Sequence, residues 1–191
     1  MLSSDWVRVY DNVIDPVFCA ELRALVDNHG RRYEEGYRNC QEFQFPDAGL
    51  PLSMALFERL RPIMRGALNV YRAQVKHESI LNFCSQVERG TIVRYDPNGD
   101  HFAIHADNWN SGSSLRQVSF ILYLNDVQEG GETVFPTHDM KVAPREGRAL
   151  MFPASFIFPH LSDPPKSNPK YAIVTWFCFE SSGGHYGTVN L

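Results

Sequence analysis

His105 and Asp107 stand two residues apart in an H-x-D step, and His160 and Lys170 follow far downstream. In an extended strand, residues two apart share a face, so the His105 imidazole and the Asp107 carboxylate can close on one ion. His160, from a later strand, would complete the set. Two histidines and one carboxylate on one face of an octahedral ion leave three positions open, the donor set of non-haem Fe(II) sites that activate dioxygen. A cosubstrate and dioxygen could fill those positions. Taken alone the H-x-D step is weak, because a chain with seven histidines meets such spacings by chance and a solvated strand or loop is the ordinary explanation.

The other histidines fit less well. His101 and His105 have the spacing of a zincin helix, but Phe102 stands where the catalytic glutamate would be, and the turn-forming Asp96-Pro97-Asn98-Gly99 lies just before. A metalloprotease is therefore not expected. His138, in Thr137-His138-Asp139-Met140, reads as a solvated turn residue. His29, His77 and His185 have no matching partners and read as surface residues.

The elements that must position the triad follow from periodicity. Asp15-Pro16 reads as an N-cap followed by proline at the first helical position, and Phe18, Leu22, Leu25 and Val26 recur at helical spacing up to Asn28-His29-Gly30. Residues 36–50 are aromatic, polar and irregular. Leu52, Leu56, Leu60 and Ile63 give a second helical stripe, which Pro62 is expected to kink or divide. From about residue 80 the period changes. Apolar and β-branched runs at 91–95, 118–124, 148–152 and 171–177 predict strands, punctuated by turns at Asn125-Asp126, Gly130-Gly131 and Pro144-Arg145-Glu146-Gly147. Many short strands behind a helical layer predict a mainly β, jelly-roll-like sandwich with supporting α-helices and the site in its mouth. The expected organisation is a single domain over 1–191, with a helical support layer at 1–79, a catalytic β core at 80–180 and a loose tail at 181–191.

Composition narrows the partners. With 191 residues and 43% hydrophobic side chains the chain can bury one substantial core. A formal net charge of -4, with no run of like charges, argues against nucleic acid or an anionic membrane and favours peptide or small-molecule chemistry. The first residues lack the basic and apolar regions of a signal peptide, and no stretch is apolar enough to span a bilayer. Cys19, Cys40, Cys84 and Cys178 are widely spaced, which fits a reduced cytoplasmic protein; a Cys40–Cys84 pair stays open. Oligomeric state is not legible.

One ordered string of residues carries a resemblance. Arg94-Tyr95, Gly99, Phe102, His105, Asp107, Arg116, Tyr123-Leu124-Asn125-Asp126, Gly130-Gly131-Glu132-Thr133, Phe135-Pro136, Pro144, Gly147, Phe152, His160, Lys170 and Trp176 resemble, over roughly 90–180, the prolyl 4-hydroxylase type of 2-oxoglutarate- and Fe(II)-dependent dioxygenase. The resemblance implies a double-stranded β-helix in which His105, Asp107 and His160 hold Fe(II). It implies that Lys170 pairs with the distal carboxylate of 2-oxoglutarate, with Arg148 as the next candidate. Tyr95 and Thr133 would donate hydrogen bonds to the cosubstrate, and Trp176 would pack beside it. It further implies dioxygen as co-reactant, ascorbate as a candidate reductant, and decarboxylation to succinate coupled to hydroxylation of a substrate C–H. For Lys170 the ordinary alternative is an exposed lysine beside Pro169; for Tyr95, Thr133 and Trp176 it is core packing.

On the substrate side Arg116 matches an arginine that faces substrate in peptide-hydroxylating relatives, and Trp109, on the Gly/Ser-rich loop 108–114, could clamp a substrate as a mobile cover. The chain departs from the pattern at Cys178, where such relatives tend to carry histidine. A prolyl residue of a peptide or protein is thus the first expectation. A free amino acid or other small metabolite is the second, and a non-catalytic jelly-roll binding module the third.

Overall fold

The computed structural model describes residues 4–75, 84–97, 99–180 and 188–191. The expected strand onset near residue 80, His77 and His185 lie outside them. In chain order the strands are β1 (Arg8–Tyr10), β2 (Arg31–Glu35), β3 (Arg38–Phe45), β4 (Cys84–Glu88), β5 (Gly90–Tyr95), β6 (His101–His105), β7 (Arg116–Tyr123), β8 (Thr133–Phe135), β9 (Met140–Val142), β10 (Ala149–Pro153), β11 (His160–Ser162), β12 (Lys170–Phe179) and β13 (Thr188–Asn190). The two α-helices are α1 (Pro16–His29) and α2 (Pro51–Gln74).

The strands pair antiparallel in the order β1-β10-β7-β12-β5-β3-β6-β11-β8-β9, with β2 on β3 and with β4 joining β12 to β13. The sheet curls because β3 pairs with β5 along most of its length and with β6 at its start, so it carries the chain from one wall to the other. The result is a double-stranded β-helix. Its long wall is buried on both faces, and the period-2 alternation shows it. Ile92, Val118, Phe120, Leu122, Ala149, Met151, Ile173 and Phe177 point outward to a core shared with α1 and α2. Val93, Tyr95, Ile121, Tyr123, Leu150, Phe152 and Ala172 point inward, between the walls.

Helix α1 starts as the sequence predicts, with the Asp15 carboxylate accepting from the Phe18 N–H at 2.8 Å. It ends at Gly30 for reasons of space: φ there is -66°, but a Cβ would stand 2.3 Å from the Val26 carbonyl. Helix α2 differs from expectation in two ways. It runs unbroken through Pro62, because Pro62 and Glu58, whose carbonyl loses its partner, are both exposed. Its buried stripe is Leu56, Phe57, Leu60, Met64, Leu68 and Tyr71, while Leu52 is 56% exposed.

The N-terminal 79 residues are not a purely helical layer, since β2 and β3 enter the sheet, β3 within the stretch that reads as irregular. The apolar residues of β3 change parity: Cys40 faces the inner core and Phe43 and Phe45 the outer one. Polar residues between them hide the alternation. In the expected loose tail, Thr188–Asn190 pairs with β4; 181–187 lie outside the described residues. Cys40 and Cys84 are free and sit in separate cores, so the open pairing is ruled out.

Candidate metal centre and cosubstrate cavity

His105 ends β6 and His160 begins β11, and the two are paired across the antiparallel ladder. Asp107 follows β6 directly. Its Oδ1 lies 3.4 Å from His105 Nε2 and its Oδ2 3.7 Å from His160 Nε2, and all three ligand atoms fall within 4.8 Å of one another. Cis ligands at about 2.0–2.2 Å from a divalent ion stand about 3 Å apart, so a small closure would seat one. Each imidazole is oriented for the task. His105 Nδ1 contacts the Ala103 carbonyl at 2.8 Å and His160 Nδ1 the Phe158 carbonyl at 3.2 Å. A carbonyl only accepts, so Nδ1 carries the proton and Nε2 keeps its lone pair facing Asp107.

Electrostatics agree with that assignment. Burial pulls the His160 imidazole down to about 4, so the ring is neutral at neutral pH. Burial alone would raise the Asp107 carboxyl, but the charge that His160 and His105 carry when protonated, together with the Ser119 hydroxyl, outweighs it and holds it well below the ordinary carboxylate range. Ser119 donates to Asp107 Oδ2 from β7. Phe102 stacks on His105 at 3.7 Å, and Phe152 meets His160 edge-on at 4.7 Å. Two imidazoles with free Nε2 atoms and one ionised carboxylate are a fitting donor set for a divalent first-row metal.

A cavity of about 70 Å³ opens over the triad, lined among others by Tyr95, Thr133, Lys170, Ser162, Trp176 and Arg38. Lys170 is 2% exposed, which removes the reading of an exposed lysine. Its Nζ donates to Ser162 Oγ at 2.8 Å and lies 5.5 and 5.6 Å from the Tyr95 and Tyr123 rings; among the described residues it forms no ion pair. Burial lowers the ammonium to about 7, with the charges of Glu132 and Asp163 opposing. Arg148, the alternative cation, is committed elsewhere: its Nε donates to Asp11 at 2.6 Å on the outside of the barrel. Thr133 shares a 2.7 Å hydrogen bond with the Tyr123 hydroxyl, so the core residue Tyr123 holds the Thr133 hydroxyl from behind the cavity wall.

The two substrate-side residues differ from expectation. The Arg116 fork is already taken by Glu88 and it does not line the cavity. Trp109 is 74% exposed and does not line the cavity either. Its loop is pinned: Asn110 and Ser113 form a reciprocal cap, Ser113 Oγ accepts from the Trp109 N–H at 3.1 Å, and Asn108 N donates to the Ala154 carbonyl at 3.0 Å. A Gly/Ser-rich composition reads as mobile because such caps depend on side-chain placement that composition does not carry. His138 is half-buried rather than solvated, stacked 4.7 Å from Phe158. His101 lies on a strand, which ends the zincin reading.

Sequence reasoning missed Ser119, Ser162, Tyr123 and Arg38. Ser162 was detectable, since it is two residues from His160 on a strand and shares its face. Arg38 was not, because nothing in residues 36–50 marks β3 as a cavity wall.

Comparison with known proteins sets this geometry in a class. Residues 90–178 match the family described as the 2OG-Fe(II) oxygenase superfamily, the span that contains the triad and Lys170. Over that span the chain is similar to that superfamily, and among its members to prolyl 4-hydroxylases. It is 31% identical over 140 residues to "Probable prolyl 4-hydroxylase 9" of Arabidopsis thaliana, covering 58% of this chain and 47% of that protein. The match therefore spans about half the length of this relative. Among solved structures, the viral collagen prolyl hydroxylase of Paramecium bursaria Chlorella virus-1 in complex with 2OG has a TM-score of 0.67 at 21% identity, covering 90% of this chain and 94% of that one. The Pseudomonas putida prolyl-4-hydroxylase has a TM-score of 0.69 at 19% identity, covering 92% and 94%. At these identities the likeness is one of fold.

Proposed function

We propose that the protein is a 2-oxoglutarate- and Fe(II)-dependent dioxygenase that hydroxylates a C–H of a peptide or protein, with a prolyl residue as the first candidate. The observation that carries this reading is Lys170. A buried ammonium without a carboxylate partner is costly, and it faces the same cavity as an ionised His-Asp-His donor set. A binding module would need neither an open metal face nor such a cation. The similarity to prolyl 4-hydroxylases, and the fold shared with a Trichoplax adhaerens prolyl hydroxylase solved with a hypoxia inducible factor peptide fragment, support the substrate class.

His105, Asp107 and His160 would hold the iron by Nε2, carboxylate and Nε2. Lys170 would pair with the distal carboxylate of 2-oxoglutarate. Tyr95 and Thr133 would donate hydroxyl hydrogen bonds to it, and the inner apolar wall of Val93, Ile121 and Ala172 would exclude water. Fe(II) with 2-oxoglutarate and dioxygen supplies the oxidising power that converts C–H to C–OH while succinate and carbon dioxide leave. No side chain need act as a base. Trp109 and Phe156, 74% and 78% exposed on loops tied by the Asn108–Ala154 hydrogen bond, offer apolar surface to a substrate larger than the cavity. Four free, buried cysteines support a reducing compartment such as the cytoplasm.

A free amino acid or small metabolite is the second reading, favoured by Cys178, which is buried where peptide-hydroxylating relatives tend to carry histidine. Iron-loaded protein with 2-oxoglutarate and ascorbate, offered proline-containing peptides and free amino acids in parallel, decides between them. Succinate and a one-oxygen mass gain on a peptide are expected. Oxygen gain on free amino acids alone would move the assignment to the second reading, and no succinate with any substrate would remove the enzyme.

A further inference from the structure

Arg116 leads away from the substrate. Its Nε donates to Glu88 Oε2 at 2.7 Å and its Nη2 to Glu88 Oε1, a two-pronged pair in which both side chains are 18% exposed. The remaining arm, Nη1, donates to the main-chain carbonyl of Asp107 at 3.1 Å. The guanidinium carbon stands 3.5 Å from the centroid of the Trp176 ring, which walls the cavity. Glu88 is itself fixed, because Thr175 Oγ1 donates to its carbonyl at 2.6 Å. Cys178 Sγ lies 3.9 Å from Glu88 Oε2, and Cys178 is the strand partner of Arg116.

Three strand ends meet here: the last residue of β4, the first of β7 and the C-terminal half of β12. Asp107 is not on any strand and needs holding from outside. Ser119 holds its carboxylate and Arg116 its carbonyl, so rotation of the residue is restrained at both ends. The planar fork suits this task. It engages a carboxylate with two donors while a third points to a carbonyl and the flat face covers an indole.

We infer that Glu88 and Arg116 form a positioning clamp that sets the Asp107 ligand and the Trp176 wall, so that Arg116 is a positioning residue and not a substrate contact. The inference rests on the reading of His105, Asp107 and His160 as a metal site. Outer-sphere partners of ligands typically contribute 10–100-fold in metal affinity. Glu88→Gln and Arg116→Met should each weaken Mn(II) binding by about that factor, and the absorption bands of the Co(II)-loaded protein should shift. Arg116→Lys, which keeps the charge but loses the fork, should fall between Arg116→Met and wild type. The double variant should be no weaker than Arg116→Met, because two residues acting as one unit are not additive.

Titration of Mn(II) by electron paramagnetic resonance, with thermal melts of the same samples, is the test. A residue that only supports the fold would lower the melting temperature without moving the Co(II) spectrum or the Mn(II) affinity of the folded protein. Unchanged affinity and spectrum in folded Glu88→Gln and Arg116→Lys, with wild type binding and Asp107→Ala not binding, would overturn the clamp alone. Wild type that binds no metal would overturn the underlying site and the clamp with it. If Arg116→Met does not fold, the two milder variants carry the decision.

Discussion

Asp107 is the only anionic member of the donor set, and both imidazoles are neutral ligands when they use Nε2. Asp107→Ala should therefore reduce metal affinity by more than the 10–100-fold typical of an outer-sphere loss, read by metal content after dialysis. Lys170 makes two opposed predictions. A charge-assisted contact worth about 1.5–3 kcal/mol implies that Lys170→Met weakens 2-oxoglutarate binding roughly ten- to over a hundred-fold, measured by calorimetry on the metal-loaded protein. The same variant should raise the melting temperature without cosubstrate. Burial holds the ammonium at about 7 against an ordinary 10.5, so between these values the unfolded chain binds the extra proton and stability rises with pH. Below pH 7 the cost is present in full, and Lys170→Met removes it there. For binding the sign reverses. Only the ammonium attracts the carboxylate, so apparent affinity should be flat below pH 7 and fall above it, with a proton taken up on binding.

At the scale of elements, Pro62 sits inside the 24-residue helix α2 on its exposed face. Proline in a helix interior costs about 3 kcal/mol relative to alanine, less about 0.4–1 kcal/mol that it gains by restricting the unfolded chain. Pro62→Ala should stabilise the protein by about 2 kcal/mol, seen as a higher denaturant midpoint with unchanged slope. Gly130 is the opposite case. It has φ of +75°, and a Cβ there would stand 2.4 Å from the Pro164 carbonyl, beside the isolated bridge that ties this turn to Pro165. Gly130→Ala should cost at least the 1–2 kcal/mol of a left-handed L-residue, and a midpoint shift below a few tenths of a kcal/mol would mean the turn can relax. Strands of five or more residues with β-branched runs were legible. The three-residue strands β8 and β9 were not, since a period of two needs more than three residues to show. Gly130, Gly131 and Gly147 were readable as turns because positive φ there favours glycine.

Across the whole molecule, the outer core between helices and sheet holds Cys19 and Cys84, the inner core between the walls holds Cys40, Cys178 is buried beside Glu88, and burial raises every thiol: Cys19, Cys40 and Cys84 to about 11 and Cys178 to about 12. Ellman's reagent should label none of them in the native protein and all four after unfolding; rapid native labelling would contradict the packing. The order H-x-D, H, K along the chain, the strand periods around it and the family resemblance determined the candidate metal ligands, the candidate cosubstrate cation and the mainly β fold. They could do so because ligand chemistry and strand alternation are local properties of residue type and spacing. Tertiary structure alone decided that β3 bridges the two walls and brings Arg38 to the cavity. It also decided that Cys40 and Cys84 never meet, that a capped turn pins Trp109, and that Glu88 claims the Arg116 fork. Each of these depends on which strands become neighbours, and partners 28 residues apart, as Glu88 and Arg116 are, leave no mark in the spacing of either segment.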